Sequence, residues 1–221
     1  MKKYLFLLSF ILITLISCQS INKDALTIDE HNRITNLLKD SINEAILETE
    51  SSLSNNMEIL KTVPSYDRWR KELPSFKELE ASYLNSINQV VRTALLDISD
   101  ILFSYIKDYE FEDPKLFLDE SYQSISELLR RQCNEEVIEA FNYAVVKNKQ
   151  IINESYNNLE KEAFIWKSNL DNLSLIGIKN DISMIEPIND YDIATLAKEL
   201  YFNALGQNEV KIRTRQEAEQ K

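Results

Sequence analysis

Ser75-FKELEASYLNSINQVVRTALLDISDILFSYIK-Asp108 is the stretch that decides the fold. Phe76, Leu79 and Tyr83 recur eleven residues later as Ile87, Val90 and Ala94, and again as Ile98, Ile101 and Tyr105. An eleven-residue period is about 3.67 residues per turn, so the spacing predicts one nearly straight helix. From Ser75 to Asp108 it would be roughly 50 Å long at 1.5 Å per residue. Ser75 and Glu78 have the spacing of a capping box. Leu84, Val91, Leu95 and Leu102 widen the apolar stripe, which predicts a helix central to a bundle and covered on more than one side.

The rest of the chain agrees with an all-α reading. Only two glycines, Gly177 and Gly206, and four prolines occur in 221 residues. A sheet protein of this size needs many more turn residues, and a phosphate-cradling loop needs clustered glycines. A first helix is predicted from Thr27, where Thr27 and Glu30 form a second capping-box spacing. Its apolar residues are Ile34, Leu37, Leu38, Ile42, Ala45 and Ile46, and the polar stretch Glu50 to Asn56 closes it. Residues 57 to 74 read as a connector. Asp113-Pro114 opens a further helix that breaks near Asp119 to Ser121. Asn134 is expected to cap a longer one through Val137, Phe141, Val145, Ile152, Tyr156, Leu159 and Ala163. Residues 171–190 are irregular, and a last helix opens near Asp190 or Asp192 with Leu196, Leu200 and Leu205 on one face. At 44% apolar composition the chain can fill one sizeable core. The expectation is a single helical bundle with long central helices over residues 27–206, followed by a charged tail at 207–221.

The N-terminus has a different character. Lys2 and Lys3 precede an apolar run, Tyr4 to Ile16, that is too short to span a bilayer, which takes about 20 residues. Residues 1–17 therefore read as a cleaved signal peptide. Leu15, Ile16 and Ser17 before Cys18 resemble a bacterial lipobox, which makes Cys18 the expected lipid attachment point and residues 18–26 a lipidated tether. A diacylglyceryl group with a further acyl chain such as palmitate holds a protein durably on a membrane. Gln19 in place of an aspartate directs the expectation to the outer membrane or cell surface. Cys133 is the one other cysteine. With Cys18 lipidated no internal disulfide is possible, and Cys133, in the helical pattern LLRRQCNEEV, reads as a buried, inert thiol.

Charge and histidine content narrow the chemistry. The net charge is −11, and −13 once residues 1–17 leave with two lysines and no acid, so nucleic acid is not an expected partner. The basic run Asp67-Arg68-Trp69-Arg70-Lys71 reads as an Arg–Trp stack on a helix surface. His31, the one histidine, sits in a polar first helical turn and lacks the Glu-x-x-His partner of helical-bundle metal sites. Glu135, Glu136 and Glu139 suit a helix start, Asp97 with Asp100 suits a wetted face, and the acids at 108–113 lack EF-hand spacing. No metal and no cofactor is expected. The aromatic residues, at helical spacing, read as core.

Leu84-Asn85, Phe111-Glu112-Asp113, Arg130-Arg131 and Ala140-Phe141 are similar in order and spacing to a family of exported bacterial proteins, domain of unknown function 4197. Arg130 and Phe141 keep an eleven-residue spacing, and Val63-Pro64 and Glu209-x-x-Ile212-Arg213 resemble its connector and closing element. This chain departs from the family where Gln89 replaces a glutamate, Glu120-Ser121 a glycine pair and Ser126 a threonine. The resemblance implies an exported helical protein with no assigned activity, and brings Asn85, Gln89, Asp113 and Arg130 together as a candidate polar cluster. No catalytic residues are assigned. The functional expectation is a lipid-anchored, non-catalytic interaction or scaffold module of the bacterial envelope, partnered by the membrane and an envelope protein. The alternative is a carrier for an apolar ligand such as a lipid. An enzyme working through the four polar positions ranks third.

Overall fold

The computed structural model describes residues 26–119, 123–174 and 182–219. The signal segment, Cys18, most of the tether, Glu120-Ser121 and Gly177 lie outside them. The fold is all-α, with no strand among the described residues. Helix α1 spans Ile28–Asn56. A turn of 3-10 helix, Pro64–Tyr66, leads into the short α2, Asp67–Glu72. Then follow α3 (Phe76–Arg92), α4 (Leu95–Asp108), α5 (Pro114–Asp119), α6 (Ser124–Gln132), α7 (Asn134–Lys147), α8 (Lys149–Ser174) and α9 (Asp190–Glu219).

The Thr27 and Glu30 capping box forms as the spacing predicts: the Thr27 amide donates to Glu30 Oε2 at 2.9 Å and the Glu30 amide to Thr27 Oγ1 at 3.2 Å. Asp113 also caps, accepting from the Lys115 amide at 3.1 Å ahead of Pro114. Ser75 does not. It already has helical dihedrals, φ −75° and ψ −9°, and makes no side-chain cap bond, because a capping side chain reaches the next turn from an extended backbone.

The expected 50 Å helix is two helices. The eleven-residue stripe survives, with Phe76, Tyr83, Ile87, Val90, Ala94 and Ile98 all buried. At Thr93 and Ala94, however, the backbone closes two short turns onto Val90 and Val91, each at 3.0 Å. The Thr93 hydroxyl donates to the Val90 carbonyl at 2.7 Å, competing for an acceptor that an uninterrupted helix needs. The helix expected from Asn134 divides in the same way. Asn148 Nδ2 donates to the Ala144 carbonyl at 2.9 Å, and α7 ends there. Asn134 does not cap α7; its Oδ1 accepts from Lys198 Nζ at 3.0 Å.

The central element is α9 rather than the α3–α4 stretch. It packs against α1, α7, α6 and α3, while α3 lies on α8 and α4 on α1. Its buried positions come in pairs, Ala197 with Lys198, Tyr201 with Phe202, Asn208 with Glu209 and Ile212 with Arg213, which makes a stripe wide enough to face several neighbours. Gly206 falls within it: a Cβ there would come 3.3 Å from Gln123 Cδ and Ser126 Oγ. The expected boundary after Gly206 is therefore not a structural one, because the helix runs on to Glu219.

The connector is equally well packed. Met57, Tyr66, Trp69 and Leu73 are buried. Trp69 is not on a surface: its ring stacks on Phe76 at 5.9 Å and meets Trp166 edge-on at 5.4 Å. Arg70 forms two bonds to buried Glu80, at 2.5 and 2.7 Å, and one to the Val63 carbonyl at 2.5 Å.

Three tyrosines pin the irregular segment 182–189. Tyr66 donates to the Glu186 carbonyl, Tyr156 to the Ile185 carbonyl at 2.9 Å, and the Tyr83 hydroxyl accepts from the Ile188 amide at 3.0 Å. Burial raises the phenol pKa of all three and pushes Tyr201 up to about 12, with the Ser99 hydroxyl opposing. A raised folded-state pKa gives stability that is complete below the unfolded value of 10.0 and is lost as pH rises through the folded value. For fully buried Tyr201 the loss amounts to roughly 2–3 kcal/mol by about pH 12. Chemical denaturation across alkaline pH, with phenolate absorbance followed in parallel, is expected to show these tyrosines ionising together with unfolding. The full phenolate absorbance of all ten tyrosines appearing near pH 10 in a still-folded chain would contradict the packing.

Candidate functional site

Of the sequence candidates, Arg130 has the most developed surroundings. It extends from α6, where Nη1 donates to Glu199 at 3.1 Å and Nη2 to Asn203 at 2.7 Å, both on α9. Its guanidinium lies 5.5 Å from the Phe202 ring centre. A polar hollow of about 470 Å³ opens beside it, bounded by Gln123, Ser126, Glu127 and Asn203. Asp113 is exposed and occupied with its own helix start, while Asn85 and Gln89 lie on the exposed side of α3. Among the described residues, no hydrogen bond or ion pair joins any two of the four.

Behind the hollow lies a buried assembly that the sequence reading placed in the tail. Glu209 presents its two carboxylate oxygens to the start of α6, accepting from the Ile125 amide at 3.2 Å and the Ser126 amide at 2.8 Å. Arg213, one turn on, donates to Glu209 from Nε at 2.9 Å and Nη2 at 2.6 Å. It also donates to the Phe117 carbonyl at 2.7 Å and the Ser124 hydroxyl at 3.0 Å. The positive end of the α6 dipole is thereby filled by the chain's own carboxylate, and the two amides that would hold an anion are taken. The hollow offers Arg130 already paired, next to two acids, which is poor equipment for an anionic ligand. The i,i+4 spacing of Glu209 and Arg213 was the available signal for this assembly.

No family model, curated protein or solved structure matches this chain. Its surface chemistry is therefore read from its own residues.

The second site is a groove of about 700 Å³ between α4 and the α6–α7 junction. Ile101, Tyr105, Tyr109 and Cys133 supply its apolar part. The two tyrosine rings lie 5.4 Å apart. Asp100 and Asp108 border it from α4 and Glu136 from α7. Cys133 is buried and forms no disulfide, and burial, with Glu136 nearby, pushes its thiol up to about 11. That environment disfavours thiolate chemistry, as expected for an inert packing residue. Among the described residues, no group of three or more His, Cys, Asp or Glu side chains is arranged to hold a metal ion, and His31 is half-buried in the first turn of α1. No described helix is long and apolar enough to cross a membrane.

Proposed function

We propose that this chain is a lipid-tethered, non-catalytic interaction module of the bacterial envelope, held through Cys18 to the outer membrane or cell surface. The observation that carries the interaction reading is the open, acid-bordered apolar groove on α4 and α7. The buried ionic groups support it from the other side, since Arg70 with Glu80 and Arg213 with Glu209 are engaged in holding segments together and are not directed into an opening. The tether rests on the Lys2-Lys3 start, the short apolar run and Cys18. Kinship with the exported family of unknown function belongs to the same reading and rests on the residue pattern.

Metabolic labelling with a palmitate analogue is expected to mark the full-length protein, to be lost in Cys18→Ala, and to follow the outer membrane on fractionation. An unlabelled or soluble wild-type protein would remove the tether. Native mass spectrometry of the protein gently extracted from its own membrane is expected to show a stoichiometric protein companion. A reproducible lipid-sized adduct with no companion would instead make the chain a carrier for an apolar ligand.

A further inference from the structure

We propose that the groove between α4 and α7 docks a basic amphipathic helix of a partner protein, an inference that rests on the interaction reading above. Its shape favours a chain segment. An enclosed pocket buries most of a small ligand's surface, whereas an open groove covers one face of a guest, which is how an amphipathic helix is bound. The surface continues beyond the hollow at both ends. Leu96 precedes Asp100 by four residues and Tyr143 follows Glu136 by seven, so each shares a helical face with a groove residue. Leu96 is 65% exposed and Tyr143 62%. From Leu96 to Asp108 the face is about 18 Å long, enough for three turns of a docked helix.

The charge specifies the guest. Many carboxylates of this protein have cationic partners, among them Glu80 with Arg70, Glu209 with Arg213, Glu199 with Lys198, and Asp190 with Lys149. Asp100, Asp108 and Glu136 have none among the described residues. Three uncompensated acids around an apolar strip favour lysine or arginine on the flanks of an apolar stripe and repel an acidic one. Tyr105 and Tyr109 line the same groove, and aromatic rings attract such cations. A second copy of this chain is a poor guest, since each copy carries a net charge of −11 and self-association would bring like charges together.

The test uses the full-length lipidated protein in detergent and three synthetic helical peptides with the same leucine stripe, flanked by lysine, glutamine or glutamate. Isothermal titration is expected to show the lysine peptide binding one to one. The glutamine and glutamate peptides should bind at least about tenfold more weakly. The triple variant D100N/D108N/E136Q should also weaken the lysine peptide at least about tenfold, and E72Q/E78Q/E162Q, with the same loss of charge at exposed positions elsewhere, should leave it unchanged. Equal weakening by both triples would reduce the effect to general acidity and overturn the proposal. Equal binding of the lysine and glutamine peptides would remove the charge argument, and tight binding of spermine that displaces the peptide would make this a small-polycation site. Circular dichroism confirms that each variant folds. Failure here leaves open whether native mass spectrometry finds a protein companion, whereas absence of any companion would sink the interaction reading whatever the peptides do.

Discussion

Glu209→Ala is expected to lower the unfolding free energy by about 3–5 kcal/mol, the usual consequence of stripping one partner from a buried ion pair. Glu209 is 1% exposed, and its carboxylate serves both Arg213 and the Ile125 and Ser126 amides. Removing it strands a buried guanidinium and reopens two amides at the start of α6. With total stability of a domain near 5–15 kcal/mol, the variant should unfold at much lower denaturant or fail to accumulate. The double variant Glu209→Leu with Arg213→Met tests the cause. It removes both charges and restores apolar volume, so it should recover a good part of the loss, although the uncapped amides keep it below wild type. Chemical denaturation of the three proteins decides it. A single variant costing less than about 1 kcal/mol would mean that Arg213 reaches water and that the assembly is not closed in solution.

Trp69→Ala should cost a comparable amount, about 3–5 kcal/mol, the range for truncating a large buried aromatic. Trp69 is 2% exposed and packed between Phe76 and Trp166, so its removal opens a hole that rigid aromatic neighbours fill poorly. The damage should have a place as well as a size. Tyr66, three residues earlier, anchors the Glu186 carbonyl, and Arg70, the next residue, holds Val63. Limited proteolysis of the variant is expected to cut first within residues 57–75, before global unfolding. Fluorescence offers a second check, since Trp166 would be the sole remaining tryptophan and would lose its ring contact. A Trp69→Ala protein with wild-type denaturation and no new cleavage would show that the connector is not docked.

These sites also show where sequence periodicity stops being informative. The apolar stripe from Phe76 to Ile98 was legible because a helix buries residues at a fixed angular spacing. The interruptions at Thr93 and Asn148 are not legible, because the bond each side chain makes to a carbonyl one turn back is also made by Ser41 and Thr49 within the unbroken α1. Glu209 and Arg213 read as tail in the sequence for a related reason. Charge in a sequence is assigned to solvent by default, and the burial of these two becomes visible once Phe117, Ser124 and Ser126 are known to lie opposite. Trp69 reads as surface because its neighbours Arg68, Arg70 and Lys71 are charged, whereas in a short helix a single apolar position suffices to anchor it. The groove was not legible at all: Asp100, Tyr105 and Tyr109 stand near one another in the chain, but Cys133 and Glu136 join them through tertiary packing. The four polar positions suggested by family likeness stand apart because α3 directs Asn85 and Gln89 to solvent, away from Arg130 on α6.

The placement of α9 governs when the chain can fold. Thr49 meets Asn208 across 159 positions of sequence, and Ser41 meets Gln216 across 175. Contacts of such separation close large loops and form slowly, and α9 is the one element that touches all of α1, α3, α6 and α7. The central packing around α9 therefore forms only after residues 190–219 have left the ribosome. On the envelope reading proposed above, in which the chain crosses a membrane pore in extended form, a central helix that arrives last favours passage ahead of folding.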